Sequence, residues 1–137
     1  MEIIRLLLLD ILDFHKQLSQ NENTIPAIRD INLIESAVNM PFMTFGGQDL
    51  YPTVWDKAAV LAYGLVNNHG FVDGNKRVAM HAMVTFLDLN NHDIQLSNDE
   101  IVDIGLSLAE GILSWQILSD YLKGVDHSDR KKNQIYG

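Results

Sequence analysis

An all-α domain of about six helices carrying one short β-hairpin is the fold that this sequence predicts, and three observations predict it. Apolar residues recur at helical spacing along most of the 137 residues. Capping residues stand just before several of these stretches. A single short segment, between Pro41 and Pro52, has instead the look of extended chain folded around a glycine pair.

From Ile3 to Leu18 the apolar residues Ile4, Leu7, Leu8, Ile11, Leu12 and Leu18 fall on one face, with Asp10, Asp13 and Lys16 on others, which predicts a first helix. Ser19 to Ala27 is polar with one proline. Asn32 followed by Glu35 has the spacing of a capping box and predicts a short second helix before Pro41. Met43-Thr44-Phe45, Gly46-Gly47 and Gln48-Asp49-Leu50 predict a hairpin turning on its two glycines. Two strongly apolar helices follow, Thr53 to about Asn68 and about Asn75 to Asn90, and should form the buried centre. Ser97 with Glu100 caps a further helix bearing Ile101, Ile104 and Leu108, and Ser114 caps the last, which Gly124 stops. Residues 1–125 are expected to form one domain, and 126–137 a polar, mobile tail.

Composition narrows the function. Apolar residues are 47% and charged residues 20%, as in an ordinary folded domain. A net charge of −8 argues against direct binding of nucleic acid, which needs clustered Lys and Arg to displace counterions. With no cysteine there is no disulfide, thiolate zinc site or thiol nucleophile, which fits the cytoplasm. Leu6 to Leu9 is too short and too closely flanked by Glu2, Arg5, Asp10 and Asp13 to be a signal peptide or a membrane span.

The link between the two central helices carries the chemistry. It places His69, Asp73, Asn75, Lys76 and Arg77 within nine residues. Burying such groups unpaired costs roughly 2–7 kcal/mol each, so something outside the core must use them. The helix that follows opens with free N–H groups and the positive end of its dipole. Gly70 and Gly74 let the backbone curl close to a ligand. Lys76 and Arg77 oppose the dipole, a penalty that a bound anion would offset. This is no Walker loop: the glycine spacing differs, no Ser or Thr follows the lysine, and no strand precedes it.

The stretch His69-Gly70-Phe71-Val72-Asp73-Gly74-Asn75-Lys76-Arg77 resembles the HxFxDGNKR signature of Doc-type members of the Fic family. Arg29-Asp30, Leu33-Ile34-Glu35-Ser36-Ala37, Phe45 to Pro52, Lys57-Ala58-Ala59 and Asn67-Asn68 are similar to the family's flanks. The resemblance implies a compact Fic-fold helical bundle, with His69 as the general base on an attacking hydroxyl. It implies Asp73 as the ligand of the magnesium that bridges ATP phosphates. Gly74 and Asn75 would help bind the nucleotide, Asn75 steadying the transferred group's oxygens, while Lys76 and Arg77 neutralise its phosphates. Phe45, Gly46, Gly47 and Gln48 would form a flap that pairs with the target chain. Lys76 stands where AMP-transferring members have glycine, and Met80 where they have a second arginine, so phosphate transfer is implied. The acceptor is then a threonine of elongation factor Tu, modified to halt translation, and the restraining partner is an antitoxin segment. Gly70 replaces the proline usual in this loop, which implies a looser loop. AMP transfer to a protein hydroxyl, and a non-catalytic member that only binds an antitoxin, are the alternatives.

Taken singly, these residues have plainer explanations. His69 can interact with the last carbonyls of a helix, Asp73 can cap the next one, and Lys76-Arg77 can be a solvated pair. Gly46-Gly47 can be a turn and nothing more. His15, His92 and His127 read as structural or surface residues.

Overall fold

A computed structural model describes residues 2–128. Among them are helices α1 (Leu8–Asn21), α2 (Ile31–Asn39), α3 (Val54–Asn67), α4 (Asn75–Leu89), α5 (Asn98–Ala109) and α6 (Trp115–Gly124), with a 3-10 turn at Met40–Phe42. The antiparallel strands β1 (Thr44–Phe45) and β2 (Gln48–Asp49) make the hairpin. Thr44 pairs with Asp49 and Phe45 with Gln48. Gly46 and Gly47 both have positive φ, 58° and 78°, the geometry that a two-residue turn between right-twisted strands demands.

Helices α3 and α4 form the centre, as their apolar runs predict. Ala58, Ala59, Ala62, Val78, Ala79, Ala82, Met83 and Leu87 have essentially no exposed surface. Alanines on both helices let the axes approach, while Phe86, Met83 and Leu87 fill the space around them. α2 crosses α3 closely at Gly64, where an added Cβ would stand 3.0 Å from that of Ala37. α6 closes the far side of α3 with Leu118 and Leu122.

Two helix starts differ from expectation, each for a local reason. The first helix begins at Leu8, because the Asn90 amide pairs with both backbone groups of Ile4 (2.7 and 3.0 Å) and holds that segment extended across the end of α4. The second is capped by Asp30, whose side chain accepts the Asn32 N–H at 2.9 Å. The caps at Ser97 and Ser114 are as expected, and Thr53 caps α3 in a box with Asp56. No helix among the described residues is long and apolar enough to cross a membrane.

The first residues of the expected tail are part of the folded body. Asp126 forms a bridge with Ile94, and its carboxylate accepts from His92 Nδ1 (2.6 Å), Asp93 N–H (3.2 Å) and Ser128 N–H (3.0 Å). Residues 129–137 of that tail lie outside the described residues. Burial pushes the Asp126 carboxyl upward, but the bonds from Ser128 and His92 outweigh it and hold the group below its ordinary 3.8. A depressed carboxyl stabilises the fold at pH above 3.8, and that contribution fades as pH falls through the lowered value. Asp126→Asn should therefore cost about 1 kcal/mol near neutrality. Urea melts of both proteins check this, and the difference should close on acidification.

Candidate active site

The link between α3 and α4 is held along its whole length by a strap, residues 24–30, that runs antiparallel to it. Arg29 and Asp30 N–H donate to the Gly70 carbonyl (2.8 and 3.0 Å), Ile28 bridges Phe71, and Val72 N–H donates to the Ala27 carbonyl (3.0 Å). Ile25 N–H donates to Asp73 Oδ2 (3.1 Å). The Arg29 guanidinium donates from Nε to the His69 carbonyl (2.6 Å) and from Nη2 to that of Asn68 (3.1 Å). Five N–H donors in a rigid fork suit arginine to holding the last carbonyls of α3 in this way.

That grip matters because His69 has φ +52°, a left-handed backbone that few side chains adopt. Its side chain is exposed, at the end of α3 and clear of the apolar core. Gly70 beside it is buried. An added Cβ there would lie 2.3 Å from Ile34 Cγ1, so Ile34 of α2 occupies the place of the missing side chain. Packing against Ile34 and the hydrogen bonds from the strap surround the loop where glycine replaces a proline ring.

Phe71 points inward and stacks on the buried ring of His15 from α1, centroids 3.8 Å apart. His15 Nε2 lies 2.8 Å from the Asp73 carbonyl, which can only accept, so that nitrogen carries the proton. Asn75 clamps Phe71 at two points, its Oδ1 accepting the Phe71 N–H (3.1 Å) and its Nδ2 donating to the Phe71 carbonyl (2.9 Å). Its amide is therefore spent on shaping the loop, and what it offers to an oxygen in the recess is its backbone N–H.

Gly74 opens α4 with φ +81°, and a Cβ there would meet Thr24 Cγ2 at 2.7 Å, so both conformation and space require glycine. The first α4 bond comes from Val78 N–H to the Gly74 carbonyl. The amides of Asn75, Lys76 and Arg77 precede it and face the helix's positive end. Here lies a recess of about 310 Å³ lined by Glu22, Asn23, Asp73, Gly74, Asn75, Lys76 and Arg77. Arg77 rests against Glu22 (Nη1 to Oε2 3.4 Å) and Thr24 Oγ1 (3.3 Å). Lys76 is exposed, its stem 3.5 Å from where a Cβ on Gly105 of α5 would stand. Both Asp73 oxygens are aimed by backbone amides, those of Ile25 and Gly74 (2.9 Å), with lone pairs to spare.

Five of the expected site residues thus line one recess, while His69, at the other end of the same tied loop, is not part of its lining. The hairpin is tied to the first turns of α3, where Lys57 Nζ bonds to Asp49 on β2 and to the Tyr51 carbonyl just after it. A separate apolar cleft of about 380 Å³ between α5 and α6 has no cationic side chain in its lining and is unsuited to phosphate.

The sequence reading missed the strap, and of the two roles it left to His15, structural or surface, the structure shows the first, buried against Phe71. Helical spacing puts His15 one turn after the buried Ile11, so an inward histidine on that stripe was the available signal. For Arg29 the signal was weaker, a lone arginine beside a capping aspartate.

Comparison with known proteins agrees with this geometry. Residues 5–87 match the Fic/DOC family. Over 76 residues the chain is 49% identical to the protein named Toxin Doc of Mycolicibacterium smegmatis. That match covers 56% of this chain and 57% of the relative, so the chain spans little more than half of that protein's length. With the motif, the fold and the matched span in agreement, the chain belongs to the Fic/DOC family.

Proposed function

We propose that this protein is the toxin of a toxin–antitoxin pair and acts in the cytoplasm as a protein kinase, phosphorylating a threonine hydroxyl of elongation factor Tu from magnesium ATP and so arresting translation. The observation that carries this reading is an exposed histidine at one end of a tied loop whose other end borders a recess lined by Asp73, Lys76 and Arg77 at the start of α4. His69 takes the proton from the acceptor hydroxyl as its oxygen attacks the terminal phosphorus. The bond from that phosphorus to the bridging oxygen breaks, and ADP leaves. The free amides at the start of α4, with Lys76 and Arg77, face the phosphate oxygens and spread their charge. To accept a nucleotide, Arg77 exchanges the Glu22 carboxylate for a phosphate, a modest cost for so exposed a pair.

Magnesium suits this donor set. Asp73 offers one oriented, exposed carboxylate, and the described residues hold no cluster of three or more His, Cys, Asp or Glu that would cage a metal. Mg²⁺ is commonly held by one or two carboxylates together with substrate phosphates and water, and supplies charge neutralisation between the phosphates. Asp73→Asn should lower transfer by about 100-fold, the scale of losing an electrostatic anchor in the transition state. Initial rates across a magnesium titration check it; an unchanged rate removes Asp73 from the role.

Restraint by an antitoxin segment has a fitting surface. An apolar groove of about 260 Å³, lined by Met80, Ile101, Val102, Gly105 and Leu106, opens beside Lys76 and Arg77. The central test is incubation of the purified protein with labelled ATP and elongation factor Tu. Label from the γ position should appear on the factor. Label from the α position alone would mean AMP transfer, and growth arrest without any labelling would favour a binding role.

A further inference from the structure

We infer that Lys57 is the positioning residue of the hairpin, fixing the angle at which its free edge is presented to the acceptor protein. The inference rests on reading the hairpin as the acceptor's docking edge. β1 and β2 have two residues each and are exposed along their length, and Phe45 at the tip is 81% exposed. A two-stranded hairpin of this kind has no core of its own and is marginal in water. Its direction must therefore come from its base.

At that base a single ammonium group gathers both ends of the segment. Lys57 Nζ donates to the Tyr51 carbonyl (2.6 Å), just after β2, and to the Pro41 carbonyl (3.2 Å), just before β1. It also pairs with Asp49 Oδ2 (3.3 Å), on β2 itself. An ammonium has three donors, and these three acceptors use them all. The Phe42 ring lies 5.2 Å away on the same side. Lys57 is only 2% exposed and is followed along α3 by the fully buried Ala58 and Ala59. An apolar residue at such a position would be cheaper to bury, since an enclosed charge must be paired and hydrogen-bonded to be tolerated. What an apolar residue cannot do is join three points of one loop to a rigid helix.

The test uses the full chain with Lys57→Met, which keeps length and removes the donors. Amide exchange of the hairpin, read at the Leu50 N–H that bonds to the Met43 carbonyl, should speed up about tenfold or more while α3 stays protected. The KM for the acceptor protein should rise about tenfold, with KM for ATP and kcat near parental values. Asp49→Asn, at a half-exposed side chain, should shift both readouts in the same direction by about threefold, and it serves if the methionine variant does not fold. Unchanged hairpin exchange in both variants overturns the inference. Faster exchange with an unmoved acceptor KM also overturns it, while leaving the transfer reaction standing. If the parent protein labels no acceptor at all, it is the transfer reading that fails, and exchange alone decides whether Lys57 sets the hairpin.

Discussion

His69→Asn should lower phosphate transfer by about 10²–10⁴-fold, the usual contribution of a positioned general base, and should abolish growth arrest. Asparagine is the informative substitution because of the backbone. His69 has φ +52°, where asparagine, like histidine, is tolerated, whereas alanine adds strain of its own. The imidazole is exposed, and the bond that anchors this residue runs from Arg29 to its carbonyl, which any replacement retains. Stability should therefore stay within about 0.5 kcal/mol of the parent. Loss of transfer with an unchanged melt and unchanged ATP affinity isolates the proton acceptor from the cradle. His69→Ala should show the same catalytic loss with a somewhat lower melting point. Growth arrest that persists in both variants would mean that the protein acts by binding.

The central helix pair was legible because period and length agree there: Ala58 to Val66 and Val78 to Leu87 are apolar nearly all round, and only the interior of a bundle accepts that. Gly46-Gly47 gave the hairpin, since two successive left-handed positions leave few other residues possible. The motif residues were legible as a set, because five polar groups in a short link between buried helices have no ordinary structural reason. What supports that link was not. The strap from Thr24 to Asp30 holds it mainly through backbone N–H and carbonyl groups, which every residue carries and no side-chain pattern reveals. The dual use of Asn75 was equally hidden: its position is plain in the sequence, but whether its amide faces the recess or turns back on Phe71 depends on the left-handed turn at Gly74. The late start of α1 at Leu8 rests on Asn90, which bonds Ile4 across 86 positions, a contact that local periodicity does not register.

Gly70→Pro should weaken this protein, although it introduces the residue usual in related loops. Two separate conflicts arise. A Cβ at position 70 would lie 2.3 Å from Ile34 Cγ1 and 3.2 Å from the Ile34 backbone nitrogen, so α2 or the loop must give way, at about 1–3 kcal/mol for overpacking of this kind. A proline also drives the preceding residue toward extended backbone, and that residue is His69, which Arg29 holds at φ +52°. The first conflict is steric and the second conformational, so they can be separated. Gly70→Ala brings the clash without the proline's constraint on its neighbour and should lose stability while keeping most of its activity per folded molecule. Ile34→Ala opens the space. Alone it should cost about 2–5 kcal/mol as a buried large-to-small change. Combined with Gly70→Pro it should cost less than the two single losses added, by about 0.5–3 kcal/mol, the range for residues in direct contact. Transfer activity should stay low in the double variant, because more room beside Ile34 does nothing to restore the left-handed backbone that aims the imidazole. A Gly70→Pro protein as stable and as active as its parent would show that Ile34 and the turn at His69 readjust freely, and that the loop is not held as its contacts indicate.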